Sequence, residues 1–459
     1  MLGPHHDYTL YAYKKYGRVY GSYDLFRKLL VINEPDLLRD IMVKDFNVFP
    51  DHKHMNLGSS TVNISLFFLP GNDQWKRVRS ILSPAFTSGK LKAMMSHISD
   101  ISDKFVQSLN SHTKTGAAFN IRELIGAFAM DVICGCAYGI NLDSIKNPEH
   151  PVVVNAKKVL NTDVNLRQVI GLLMTPLAKL LKLEFFDLNA TNFFEELTNK
   201  ILQERQHKNN YTDKRRTDFI QLMIDSEKTG SDIGYDSGDD LETNKSVNED
   251  NSRITTKGSL TPDEITGQGL LFFIAGYDTT SASITNAIYY LSKNKDCQQK
   301  LYEEIKTVDE FTYDKLNHLK YLNAVLNETL RLAPSLVRIN RECVQDYQLG
   351  NTGITVPAGT SIEIYPYALH RDPEFWPEPE QFKPERFLEP THHPFAYIPF
   401  GAGPRVCIGQ RFAMNEMRMC LAKLIHSYDF SLASGAKREF FKGVPLMSPK
   451  ELEVTIKAR

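Results

Sequence analysis

Cys407 stands in a glycine-rich run, Phe400-Gly-Ala-Gly403-Pro-Arg405-Val-Cys407-Ile-Gly409, directly before residues 411–428, whose pattern is helical. A lone cysteine so placed is suited to offer a thiolate to a metal. Amides at the start of a helix carry partial positive charge, and Gly403 and Gly409 let the backbone approach the sulfur, so the ionised form of Cys407 is expected to be favoured. Arg405 adds a fixed cation suited to a carboxylate. The plain alternative is a buried structural cysteine beside a turn. Five positions drawn from four residue types are fixed here at set spacing, and at average residue usage a chance match anywhere in the chain is on the order of one in ten thousand.

A second group of polar residues interrupts an apolar helical run at Ala275-Gly276-Tyr277-Asp278-Thr279-Thr280. Small residues at 275 and 276 would let another body approach the helix, and Thr279 could leave its local backbone bond to open a groove to water. A threonine at a simple helix kink reads the same way. Further on, Glu328-Thr-Leu-Arg331 places opposite charges on one helix face, as an ordinary surface pair also would. Trp75 and Arg79 are one helical turn apart and could present an indole N–H and a guanidinium together.

Positioning these groups requires mostly helices. Residues 18–23 and 29–32 are β-branched and aromatic and, with the turn at Asn33-Glu-Pro35, predict a small sheet. Residues 74–221 are mainly helical in pattern. Thr261-Pro-Asp-Glu264 predicts a capping box with proline at the first helical position, starting a helix that runs to about Lys293. Further helices are expected over 296–306 and 318–332, the latter stopped by Pro334, with strands near 348–356 and 360–365 and a proline-rich meander over 372–399. Residues 228–258 are acidic, polar and poor in large apolar groups; they predict a solvated loop inside one domain spanning 1–459, either an inert insertion or a regulated segment. No internal repeat is evident, so the expected fold is mainly α with a small β region.

The 459 residues are 42% hydrophobic and 10% aromatic, enough for a large core, and the formal charge of −1 gives no sign of nucleic acid as a partner. Six cysteines are too sparse for a secreted disulfide framework, and Cys134-x-Cys136 lacks a second ligand pair for zinc. No run of about 20 uncharged apolar residues occurs. The stretch 169–186, interrupted by Pro176, Lys179 and Lys182, could lie on a membrane surface or pack in the core.

The cysteine loop resembles that of the cytochrome P-450 superfamily, and other motifs agree. Ala275 to Thr280 resembles the family's oxygen-binding helix; Glu328, Arg331 and Pro384-Glu-Arg386-Phe387 resemble its buried charge network; Trp75-Lys-Arg-Val-Arg79 resembles its Trp-x-x-x-Arg helix. Residues 82–92, 218–226, 367–373 and 399–411 look like the third family, the drug- and steroid-oxidising branch, and the resemblance covers nearly the whole chain except 228–258. It implies the cytochrome P-450 fold, with haem b held between the central helix and the cysteine-loop helix. Cys407 would be the axial ligand, with Phe400, Gly403, Arg405, Gly409 and Ala275 around the haem. Trp75, Arg79, Arg341 and Arg405 would meet its propionates. Relatives carry another arginine before the Trp motif, where this chain has His52-Lys-His54.

By the same resemblance Asp278 would relay protons and Thr279 would hydrogen-bond dioxygen so that its distal oxygen leaves as water. Glu328, Arg331 and Arg386 would be structural. Ile274, Ala275, Thr279, Ser335, Leu336 and Val337 would line the substrate pocket. No strand-linked Gly-x-Gly-x-x-Gly accompanies these motifs, so electrons would come from an NADPH-dependent flavoprotein reductase, with a cytochrome b-type protein as an additional donor. Lys76, Lys90, Lys92 and Arg418 would form the docking patch. The implied activity is oxygen insertion from O2 into large lipophilic substrates, on the cytosolic face of the endoplasmic reticulum, with peripheral membrane contact. Microsomal relatives begin with an apolar anchor, which is expected to have been lost here. A haem-thiolate isomerase and a non-catalytic haem- or ligand-binding protein are the alternatives.

Overall fold

A computed structural model describes residues 5–24, 27–53, 61–159, 180–181, 183–207, 218–229, 259–441 and 445–459. Its axis is the helix Pro262–Lys293, which opens as the sequence predicts: the Glu264 amide donates to Thr261 Oγ1 at 3.2 Å while Glu264 Oε2 accepts from the Thr261 amide at 3.0 Å. The helices Ile121–Ile133, Leu188–His207, Lys320–Leu332 and Gln410–Ser427 pack around it. A helix covered on all sides must satisfy its polar side chains internally. Ser281 and Thr285 do so by donating to the carbonyls of Tyr277 and Ser281, one turn back. Burial is interrupted over residues 274–279, where Ala275 is exposed and Ile274, Gly276, Tyr277 and Thr279 are half-buried. That gap in an otherwise covered helix is the first structural mark of a site.

The chain therefore belongs to the mainly helical class with a minor β part, as its patterning predicts. The β part is less local than the sequence suggests. Strand Val19–Asp24 does pair antiparallel with Arg27–Ile32, but the latter then lies parallel to Ser361–Ile364, which pairs antiparallel with Ile339–Glu342. Arg341 sits opposite Ile362 in that register, which fixes its backbone against a buried apolar floor of Ile32, Leu38, Ile362 and Ile364. A short hairpin joins Tyr347–Gln348 to Thr355–Val356, and a second sheet unites Phe119–Asn120, Glu453–Ala458 and Tyr428–Leu432.

Two boundaries differ from expectation. The helix expected over 318–332 is Lys320–Leu332, preceded by a separate Tyr313–His318, because Leu319 is extended (φ −73, ψ 99). Asn323 holds this break by donating to the carbonyls of Leu319 (2.8 Å) and Asn317 (3.0 Å). The polar segment expected from 228 begins later, since Phe219–Thr229 is helical. Residues 230–258 and most of the amphipathic stretch 169–186 lie outside the described residues. No helix among the described residues is long and apolar enough to cross a membrane.

Candidate active site

The cysteine loop reaches the start of Gln410–Ser427 with the Cys407 amide donating to the Phe400 carbonyl at 3.0 Å. Its two named glycines have different reasons. Gly403 has φ +70, and a Cβ there would lie 1.8 Å from the Met42 carbonyl oxygen, so this glycine lets the loop press onto a neighbouring turn rather than approach the sulfur. Gly409 has an ordinary backbone (φ −86), and a Cβ on it would meet no protein atom, so space is left beside it.

Cys407 is open to a water-sized body, yet the surrounding protein desolvates its thiol. A space walled by protein accounts for both. Burial pushes the thiol up, while the Gly409 N–H and the Arg79 charge pull it down and lose. The expected ionisation by helix-start amides is therefore not achieved by the protein alone; a metal cation bound to the sulfur would supply the missing stabilisation.

On the central helix, Thr279 Oγ1 donates back to the Ala275 carbonyl at 2.5 Å, joining two sequence-predicted residues on one face. Asp278 does not share that face. It is buried, its Oδ1 accepting from Arg122 Nη2 at 2.5 Å and Ser448 Oγ at 2.9 Å, while Oδ2 is buried without a partner among the described residues. The adjacency expected of an acid and an alcohol at 278 and 279 is thus replaced by an ion pair to Ile121–Ile133. Ser335 and Leu336 are half-buried, and Ser335 Oγ lies 3.1 Å from Ser283 Oγ and 3.5 Å from the Thr279 carbonyl. Val337, expected in the pocket, is 1% exposed and belongs to the core; its amide donates to the Pro445 carbonyl, which turns the segment inward.

Three expected arginines are buried without any carboxylate ion pair among the described residues: Arg79, Arg341 and Arg405. Arg405 donates to the carbonyls of Pro50, Leu66 and Leu69 and lies 4.3 Å from the centre of the Trp75 ring. Burial first and then the charge of Arg341, opposed by Asp51 and helped least by Arg79, bring it down to about 9. Burial alone brings Arg341 down to about 10. Arg79 Nη2 donates to the Val406 carbonyl at 2.8 Å, one residue from Cys407. The Nε atoms of Arg79 and Arg341 and the Trp75 Nε1 are all buried without partners among the described residues. Buried cations and N–H groups left this way are costly unless an anion completes them. These residues fit a group carrying carboxylates close to a metal held by Cys407.

The cytochrome P450 family model matches residues 3–456. The chain is 36% identical over 434 residues to cytochrome P450 3A29 of Sus scrofa, covering 91% of this chain and 80% of that protein. It is 36% identical over 430 residues to cytochrome P450 3A5 of Homo sapiens (91% and 80%) and 34% identical over 437 residues to cytochrome P450 3A9 of Rattus norvegicus (92% and 81%).

The chain belongs to the cytochrome P450 family. It is an oxidoreductase of the haem-thiolate monooxygenase class, and its cofactor is haem b held through a cysteine thiolate.

Within this P450, Glu328 and Arg331 are fully buried and bidentate, at 2.7 and 2.8 Å. Glu328 Oε1 also accepts from the Lys383 amide, and Arg331 donates to the carbonyls of His370, Pro379 and Gln381. Arg386 is the looser member: its Nε is 3.5 Å from Glu328 Oε1 without a hydrogen bond, and its Nη2 donates to the Glu378 carbonyl. Sequence reasoning missed Arg122, Ser283 and Ser448, which carry no spacing signal relative to the residues they hold. It noted His52 only as a departure. His52 is stacked on Phe67 with ring centres 4.6 Å apart, its Nδ1 lies 3.3 Å from Arg341 Nη1, and burial together with Arg341 and Arg405 holds it well below the usual imidazole range.

Proposed function

We propose that Cys407 is the axial ligand and that this P450 inserts one oxygen atom of O2 into large lipophilic molecules, steroids or xenobiotics, with NADPH-derived electrons from a flavoprotein reductase. The observation that carries the reading is the set of unpaired buried donors, Trp75, Arg79 and Arg341, together with Arg405, around the loop of an accessible Cys407. The bound haem supplies activation of O2, and thiolate ligation favours O–O cleavage. The chain's own residues do the rest. Trp75, Arg79, Arg341 and Arg405 take the carboxylates and so fix the cofactor's orientation. Ile274, Ala275, Ser335 and Leu336 border the space left for an apolar substrate. Thr279 can turn its hydroxyl from the Ala275 carbonyl into that space to donate a proton, and Asp278, held by Arg122 on the adjoining face of the helix, is the carboxylate through which protons would be relayed.

For electron delivery, Lys90 is the exposed cation of the docking patch best placed for an acidic partner. Lys76 and Lys92 pair with Asp73 and Asp314, and Arg418 is half-buried with hydrogen bonds to Asn323 and Asn415. Exposed Leu180 and Leu181, in the amphipathic stretch, suit peripheral contact with the endoplasmic reticulum membrane on its cytosolic face. A cytochrome b-type protein is the second candidate donor.

The test is spectroscopic. The reduced, carbon monoxide-treated protein is expected to show the strongly red-shifted Soret band of thiolate ligation, and Cys407→Ser to lose it together with all substrate oxidation. Retention of the band in Cys407→Ser would refute the assignment of the ligand.

A further inference from the structure

Ser335 meets the central helix through a chain of hydroxyls whose direction is fixed by its end. The Thr279 carbonyl can only accept. Ser283 Oγ donates to it at 2.8 Å, and Ser335 Oγ is 3.1 Å from Ser283 Oγ and 3.5 Å from the same carbonyl. Each serine has one proton and two lone pairs. If Ser283 gives its proton to the carbonyl, Ser335 gives its own to Ser283. Because the one proton of Ser283 goes to the carbonyl, its 3.1 Å contact with Ser335 is a hydrogen bond only when Ser335 donates, which directs the Ser335 proton into the helix and leaves lone pairs facing outward.

Ser335 and Leu336 are half-buried beside the segment where Ala275 is exposed, and Thr279 Oγ1 donates to the Ala275 carbonyl. The segment itself is clamped from behind, because the Met447 amide donates to the Ser335 carbonyl and the Val337 amide to the Pro445 carbonyl. The backbone at Ser335 is therefore held in place.

Resting on the proposed monooxygenase reading, we infer that Ser335 is a specificity-determining residue that presents a hydrogen-bond acceptor to the substrate. The preferred substrates are lipophilic molecules bearing an O–H or N–H group, over analogues in which that group is a ketone or ether. A ketone oxygen facing Ser335 meets lone pairs and loses its water hydrogen bonds without replacement.

The probes are cyclododecanol and cyclododecanone, which differ only in the donor, titrated by calorimetry into the haem-loaded protein. The alcohol is expected to bind about fivefold more tightly, the weight of one net hydrogen bond. Ser335→Ala is expected to bring the ratio to near one. Ser283→Ala removes the first acceptor of the Ser335 proton and is expected to improve ketone binding selectively. Equal affinities in the unmodified protein, a preference that survives Ser335→Ala, or ketone affinity unmoved by Ser283→Ala would each overturn the inference. A carbon monoxide spectrum on the same samples separates the two readings: a normal thiolate band without alcohol preference removes the role of Ser335 alone, whereas a missing band removes the monooxygenase assignment whatever the calorimetry gives.

Discussion

Around Glu328, the buried guanidinium of Arg331 meets a carboxylate in two hydrogen bonds and three backbone carbonyls, so every donor has a partner. Around Trp75, the guanidiniums of Arg79, Arg341 and Arg405 meet carbonyls, a ring face and a neutral histidine, and two Nε atoms have no partner among the described residues. Both regions bury arginine, but among the described residues only the first closes its charge balance. A closed set holds elements together: here Lys320–Leu332 to the meander through Lys383, Pro379 and His370. An open set carries a standing electrostatic cost in the protein alone, which is relieved when a ligand of opposite charge arrives. The contrast distinguishes the residues assigned a structural role from those proposed to hold the cofactor.

The strongest way to break the comparison is to open the closed set. Glu328→Ala leaves Arg331 charged, buried and without its carboxylate, and should cost roughly 3 to 5 kcal/mol. Urea unfolding should report this loss equally in haem-free and haem-loaded protein, because the network does not touch the cofactor space. A loss confined to the loaded form would contradict the structural assignment.

Next in size is the opposite experiment, on the open set. Arg341→Leu removes a cation desolvated on all sides, so the haem-free protein should be as stable as before or more so. The loaded protein should release haem to excess apomyoglobin about tenfold faster, the scale of one charge-assisted hydrogen bond. Opposite signs in the two states are the signature of a site waiting for an anion. Equal destabilisation of both states would mean that Arg341 is merely structural.

How much of this was legible beforehand divides along a physical line. Short-range chemistry could be read: Thr261 and Glu264 are three residues apart, Glu328 and Arg331 likewise, and Trp75 and Arg79 one turn apart, so helical geometry alone brings each pair together. The cysteine loop was readable for the same reason. Contacts made across the fold were not. Nothing in the spacing joins Arg122 to Asp278, 156 residues apart, or Ser283 to Ser335, 52 apart. The first strands showed their pattern, but their pairing with Ser361–Ile364 depends on how the chain returns. The Cys407 thiol illustrates a further limit. The helix-start amide and the nearby cation could be anticipated, yet the desolvation that outweighs them comes from packing assembled by the whole chain.

The smallest expected effect tests whether closure itself is graded. Arg386 approaches Glu328 only to 3.5 Å, its Nε makes no hydrogen bond, and Glu328 Oε1 already accepts from Arg331 and Lys383. Removing Arg386 therefore leaves no carboxylate unpaired. Arg386→Gln should cost about 1 kcal/mol, the net value of the remaining hydrogen bond to the Glu378 carbonyl and a weak ion pair. A cost matching that of Glu328→Ala in the same urea titration would show that the third member is as necessary as the bidentate pair, and that a 3.5 Å contact in a dry interior binds far more strongly than its geometry implies.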